Sequence, residues 1–308
     1  MNYTKEQRGL GSMVKEILLG DNPFIGVSHL AQEKARLELG EVSRLEAKAE
    51  VLKAGLEGGV TGFTFSTHRS NLELLKYMRK MYPEVFEKLN YYILIPYAQG
   101  YVRKANVHGT IGLAKIIIRD IFFKDPLDFA LSIITFNISR VASLFIGVEA
   151  EPYFRILPRE RFKAVLLHEI LTELIMAYNL TELLQELKRY IERKLEVSFG
   201  LETRNIGKLE RFLKRHDIEV EYIMTPMNPL GYQMAPSKEE AERAIQELGE
   251  RDIKTIVVNI LASGAITLKE TCKYLEKFRD KVYAVAYGTT KPYRARENAI
   301  ILRRCILF

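Results

Sequence analysis

The chain has only two cysteines in 308 residues, Cys272 and Cys305, and they stand too far apart for a metal-binding pair. Closely paired histidines are missing as well, which makes a divalent metal the weaker expectation for any cluster of site carboxylates. Blocks of like charge are absent: 46 Lys and Arg against 39 Asp and Glu leave a formal charge of +7, spread along the chain. That balance favours anionic small ligands through the summed field and does not indicate nucleic acid as a partner. Met1 to Lys15 carries charges in place of an apolar core, which argues against a secretory leader and for a cytoplasmic location. No repeat or low-complexity tract occurs. The most apolar window, "ALSIITFNISRVASLFIGV" from Ala130 to Val148, contains Asn137, Ser139 and Arg140. A charge near the middle of a membrane span costs about 2.5 to 3.5 kcal/mol, so the window reads as a buried helix followed by a buried strand.

What the sequence does contain is periodic. With 47% hydrophobic and 28% charged residues it has an ordinary globular balance. Eight short runs rich in β-branched and aromatic residues recur: "EILLG", "TGFTFST", "YYILIPYA", "SLFIGVE", "LEVSFGLE", "EVEYIMTP", "TIVVNILA" and "VYAVAYG". Segments of helical spacing such as "KEEAERAIQELGERD" and "LKETCKYLEKFRD" separate them. Parallel strands need crossovers that cover the outer face of the sheet, so the pattern predicts an α/β protein with a single (β/α)8 TIM barrel over residues 1–308. Residues 1–14 read as an N-terminal arm. Extended helical connections are expected over 99–141 and 152–194, after strands three and four, with "SLFIGVE" taken as strand four. Such insertions wall the pocket or make an oligomer interface, and the apolar "IGLAKIIIRDIFF" favours a homo-oligomer.

In this architecture the site lies at the carboxyl ends of the strands. The polar residues closing the runs make Asp21, His68, Glu149 and Glu202 the candidate catalytic groups: carboxylates sharing a mouth raise one another's pKa, and histidine titrates near neutrality. His29, His108, His168 and His216 fall in helical or loop surroundings and read as structural or solvated. Loops after strands seven and eight of such barrels often bind phosphate, because glycine admits the backbone and a following helix presents free N–H groups. "LASGAIT" and "YGTTKPYR" stand there, so Ser263, Gly264, Gly288, Thr289, Thr290, Lys291 and Arg294 are the candidate anion ligands. The alternative is a pair of ordinary strand-to-helix turns, with Thr290 as cap and Pro292 in the first turn.

The stretch "GTTKPYRARENA" resembles the C-terminal cofactor segment of the aldo/keto reductases. The resemblance implies Thr289, Thr290, Lys291 and Arg294 on the phosphate of NADP(H), and Glu297 with Asn298 near adenine. "VSFGLETRNIGKLERFLKRHDIEVEYIMTPMNPLG" is similar to that family's fifth strand, helix and sixth strand, and "TIVVNILASGAI" to its seventh strand and loop. Departures stand beside the match. The family places Asp and Tyr after strand two, Lys at the end of strand three and His at the end of strand four. Here the corresponding ends read Ser66-Thr67-His68, Pro96-Tyr97 and, with strand four at "SLFIGVE", Glu149. The Ser-Asn pair that holds nicotinamide becomes Glu202-Thr203.

The first functional expectation is therefore acid/base chemistry, of lyase, isomerase or hydrolase type, on a phosphate-bearing small molecule or nucleotide. An NADP(H)-binding oxidoreductase with a rebuilt proton donor, His68 or Tyr97 being nearest, is the second. A metal-dependent hydrolase and a non-catalytic assembly barrel complete the set.

Overall fold

The computed structural model of the protein describes residues 14–26, 44–135 and 137–306. His29 and all of the expected N-terminal arm except Val14 lie outside the described residues, as does the His108 side chain. Eight parallel strands close into a barrel in sequential order. They are β1 Glu16–Gly20, β2 Gly62–Ser66, β3 Asn90–Ile95, β4 Phe162–Leu167, β5 Ser198–Glu202, β6 Tyr222–Pro226, β7 Lys254–Val258 and β8 Ala284–Tyr287. The last pairs back with the first, Leu18 standing opposite Ala286, so the sheet has no free edge.

Successive side chains of a strand point to opposite faces, and that period divides the core. Odd-numbered Ile17, Leu19, Phe63, Phe65, Tyr91, Ile93, Val165, Leu167, Phe199, Leu201, Ile223, Val257 and Val285 pack outward against the helices. Even-numbered Leu18, Tyr92, Leu94, Ala164, Leu166, Tyr222, Met224, Ile256, Ala284 and Ala286 fill the interior. Gly200 shares the inward parity, and a Cβ there would meet Leu166 Cδ2 at 2.4 Å and Tyr222 Cβ at 2.8 Å. Its bareness is what lets Tyr222 cross the barrel. The amino-terminal end is closed by Glu16, whose Oε1 accepts Tyr92 and Tyr283 hydroxyls, both at 2.9 Å. Its Oε2 accepts Asn90 Nδ2 at 3.1 Å and Thr61 Oγ1 at 3.3 Å.

The outer helices are α1 Leu45–Gly58, α2 Arg69–Met81, α3 Ala98–Lys124, α4 Pro126–Ile134, α5 Ile138–Phe154, α6 Glu169–Tyr178, α7 Thr181–Arg189, α8 Ile206–Arg215, α9 Lys238–Glu250, α10 Leu268–Leu275 and α11 Pro292–Ile306. A short helical turn at Pro83–Phe86 precedes β3. Helical insertions do follow strands three and four, with different boundaries from those expected. "SLFIGVE" is not strand four: it lies within α5, whose buried Ser143, Leu144, Ile146, Gly147, Ala150 and Tyr153 recur at helical spacing, and Asn137 Oδ1 caps its start by accepting Arg140 N at 2.9 Å. Strand four is "FKAVLL", inside the stretch read as a helical connection over 152–194. The first insertion thus runs through α3, α4 and α5, and the second through α6 and α7. Cys272 of α10 and Cys305 of α11 are joined as a disulfide, with Cα atoms 5.7 Å apart. Among the described residues no helix is long and apolar enough to cross a membrane.

Candidate active site

A cavity of about 700 Å3 opens at the carboxyl end of the barrel. Its floor is the inward, even-numbered parity carried to the strand ends: Gly20, Thr64, Ser66, Leu94, His168, Glu202, Met224, Pro226, Val258, Ala286 and Gly288 all line it. The turns after β7 and β8 form one wall.

Asp21, the residue after β1, is buried at this cavity. It reaches across to the end of β2, where its Oδ2 accepts Ser66 N at 3.0 Å, Ser66 Oγ at 2.8 Å and Asn71 Nδ2 at 2.6 Å. Burial pushes its pKa up, and those donors pull the other way. Behind it Lys48 of α1, buried, donates to Ser70 Oγ at 2.6 Å. Burial lowers the Lys48 pKa, opposed by the carboxylates of Glu73 and Asp21.

Glu202, closing β5, points inward with Oε2 accepting Glu169 N at 3.1 Å. Burial, with the negative charge of Glu169 added, pushes its pKa up to about 8, so it is mainly a neutral carboxylic acid at pH 7. Glu169 itself is held by Arg204, whose Nε and Nη2 donate to its two oxygens, each at 2.6 Å.

His168 closes β4 and caps α6, its Nδ1 accepting Ile170 N at 3.3 Å. A ring nitrogen that accepts a backbone N–H carries no proton, so the neutral ring keeps its hydrogen on Nε2. Burial lowers its pKa and favours that neutral form. The sequence reading set His168 aside; its inward parity is the signal that would have found it, once strand four is placed at Phe162–Leu167.

Two expected catalytic residues are not among those lining the cavity. His68 caps α2 through Nδ1, which accepts Ser70 N at 3.1 Å, and its ring stands edge-on to Tyr97 with centroids 4.8 Å apart. Glu149 is a residue of α5, not a strand end. It accepts the Thr67 hydroxyl at 2.8 Å and the Tyr101 hydroxyl through its other oxygen, tying the first insertion to the end of β2.

Ser263, Gly264, Gly288, Thr289, Thr290, Lys291, Arg294 and Asn298 all line the cavity. The β7 turn is held in left-handed backbone at Ala262, Ser263 and Gly264, with φ of 44°, 59° and 92°. For two non-glycine residues in a row that conformation costs energy, and Asn259 fixes it: its Oδ1 accepts Ser263 N at 3.0 Å. The three N–H groups are spent within the turn, Ala262 N donating to Asn259 O at 2.9 Å and Gly264 N to Leu261 O at 2.7 Å, so what the turn offers the cavity is the Ser263 side chain. In the β8 turn Thr289 Oγ1 accepts Lys291 N at 3.2 Å, just ahead of α11. Among the described residues no group of three or more His, Cys, Asp or Glu side chains is arranged to hold a metal ion.

Comparison with solved structures finds the same architecture over nearly the whole chain. A candidate aldo-keto reductase from Pseudomonas aeruginosa matches with a TM-score of 0.59 at 14% identity, over 97% of this chain and 93% of that one. The glycerol dehydrogenase from Gluconobacter oxydans matches at 0.56 and 10% identity over 96% of each chain. The holo form of an aldo-keto reductase from Bacillus halodurans matches at 0.54 and 11%, over 96% and 90%. The barrel is aldo/keto reductase-like. No family profile and no curated protein sequence matches the chain.

The residue that follows β4 at the cavity is His168, not Glu149. The carboxyl of Asp21 reaches the end of β2 from β1. β3 is followed by Pro96 and Tyr97.

Proposed function

We propose that this protein is an NADP(H)-dependent oxidoreductase interconverting a small carbonyl compound and its alcohol, with a carboxylic acid in the place of tyrosine as proton donor and a histidine that polarises the carbonyl. The observation that carries this reading is one cavity on which a neutral Glu202, a neutral His168, the Ser263–Gly264 turn after β7 and the cation-bearing turn after β8 all open. The aldo/keto reductase-like fold supports it over the non-redox acid/base chemistry expected first.

The residues present fit the cofactor. Hydroxyls of Ser263, Thr289 and Thr290 with the cations Lys291 and Arg294 form a donor set suited to phosphate, and Asn298 lies beside them for the adenine end. Glu202, at the family's nicotinamide position, is the one residue whose charge would conflict with hydride chemistry. Its raised pKa removes that charge at neutral pH. When bound, the cofactor supplies or accepts a hydride.

The chain's own part is to polarise and to protonate. His168 offers Nε2–H to the carbonyl oxygen as a neutral donor. Glu202 holds its proton on Oε1, since Oε2 is engaged by Glu169 N–H, and gives it to the oxygen as negative charge develops there. In the oxidative direction the same carboxylate takes the proton back. Apolar Leu94, Met224, Val258 and Ala286 on the floor exclude water and strengthen both interactions.

The test is NADPH fluorescence titration followed by NADPH oxidation over a panel of small aldehydes and ketones. Saturable binding and turnover that declines above about pH 8, with the decline absent in Glu202→Gln, is the expected result. Absence of NADPH binding at millimolar concentration overturns the reading and returns the cavity to non-redox chemistry.

A further inference from the structure

The first insertion carries an apolar face turned to solvent. Phe123, Leu127, Ile134 and Ile138 are 77%, 79%, 73% and 81% exposed, and Ile118, Phe122, Leu131 and Ile133 are about half exposed. α4 is inside out: Ser132 is its buried residue, its hydroxyl donating to Asp128 O at 2.6 Å, while Leu131, Ile133 and Ile134 face outward. Phe122 holds the face together, packing edge-on to Phe123 and Phe129 with centroids 5.9 and 6.3 Å apart.

These eight side chains expose on the order of 1,000 Å2, above the few hundred Å2 of the largest apolar patch on a typical monomer. That area matches the roughly 800 Å2 each partner contributes to a standard stable interface. The rim identifies the partner. It carries both signs in near balance: Arg119 beside Asp120 at 2.9 Å, Arg140 on Asp128, and Lys194 between Asp125 at 3.2 Å and Asp128 at 3.3 Å. Three cations against three aspartates leave the edge without the net positive charge that an anionic lipid surface attracts. Because these pairs close within one chain, two copies meeting about a two-fold axis through the apolar centre bring together rims with no net charge and no like-charge cost.

We infer that the α3–α4–α5 face is the interface of a homodimer, with a second copy of this chain as its occupant. The catalytic cavity is complete within one chain, so the inference stands apart from the proposed function.

The test is sedimentation velocity on the full chain from about 1 to 100 µM, on wild type and on Leu127→Glu/Ile134→Glu, with a milder Leu127→Ser/Ile134→Ser in case the charged pair disturbs folding. Circular dichroism melts establish that each variant is folded. Wild type is expected to sediment as a dimer, with association weakened about a hundredfold or more in the variants, because buried apolar anchors carry most of such an interface. A wild-type monomer throughout that range overturns the inference, as does a folded variant that stays dimeric. Flotation with phosphatidylcholine/phosphatidylglycerol vesicles covers the lipid case: wild-type binding that Leu127→Glu/Ile134→Glu abolishes overturns it in favour of a membrane surface.

Discussion

Replacing Glu202 with glutamine removes one ionisation and leaves an amide oxygen able to accept the Glu169 N–H. In the folded protein burial and the charge of Glu169 raise the Glu202 pKa from 4.5 to about 8. Between those values the folded state binds more protons than the unfolded chain, so this carboxyl's contribution to stability is full below pH 4.5 and is lost as pH rises toward 8. At 1.36 kcal/mol per unit, the loss reaches about 3 kcal/mol at pH 7 and approaches 5 above pH 8. An unfolding entropy of about 2.1 cal/mol/K per residue over this length converts 3 kcal/mol into roughly 5 °C of melting temperature. Melting curves of wild type and Glu202→Gln should therefore nearly coincide at pH 4.5 and diverge by about that amount at pH 7, with the variant the more stable. Curves that run parallel from pH 5 to 8 would refute the raised pKa, and with it a neutral Glu202 as proton donor.

Lys291→Ala/Arg294→Ala should weaken NADPH binding tenfold or more in a fluorescence titration while leaving the melting temperature within about a degree, since both cations sit at the cavity rim and neither is buried. His168→Ala should lower kcat by roughly 10²- to 10⁴-fold with NADPH affinity retained, the signature of a group that acts on the reacting oxygen. Glu16→Ala should destabilise the protein by about 3 to 5 kcal/mol in urea, because it leaves three donors without their acceptor at the closed end of the barrel, and should not alter NADPH affinity of the folded fraction.

The barrel was legible because period, count and length all agreed: seven of the eight strand runs read from the sequence overlap an observed strand. The eighth shows what local pattern cannot decide. "SLFIGVE" is as apolar and aromatic as "FKAVLL", and a short run of that kind fits a buried helix as well as a strand. Tertiary context chose: α5 runs on through Pro152 to Phe154 beside β3, and "FKAVLL" takes the gap between β3 and β5. One misplaced strand shifted the site reading with it, promoting Glu149 and hiding His168. Asn71 was out of reach for another reason, since its role depends on Asp21 crossing from β1, a long-range contact with no local signature.

What surrounds the tyrosines of the described cavity lining argues against reduction through an acidified tyrosine. Two line it, Tyr97 and Tyr287. The Tyr287 hydroxyl donates to Ala295 O, and burial raises its pKa, the opposite of what a proton donor needs. Tyr97 stacks edge-on against His68, and its backbone N–H is tied to Thr67 Oγ1 at 3.1 Å. The lysine of the described cavity lining is Lys291, in the turn after β8, whereas Lys48 is buried behind Asp21 and engaged with Ser70. Among the described residues no lysine is thus placed to lower a tyrosine pKa toward neutrality. Tyr97→Phe should accordingly keep kcat within a few-fold of wild type, while Glu202→Gln loses the roughly 10²-fold or more that a general acid contributes. A Tyr97→Phe variant that binds NADPH normally and has lost turnover, beside an active Glu202→Gln, would move the proton donor to the end of β3 and return the site to tyrosine chemistry.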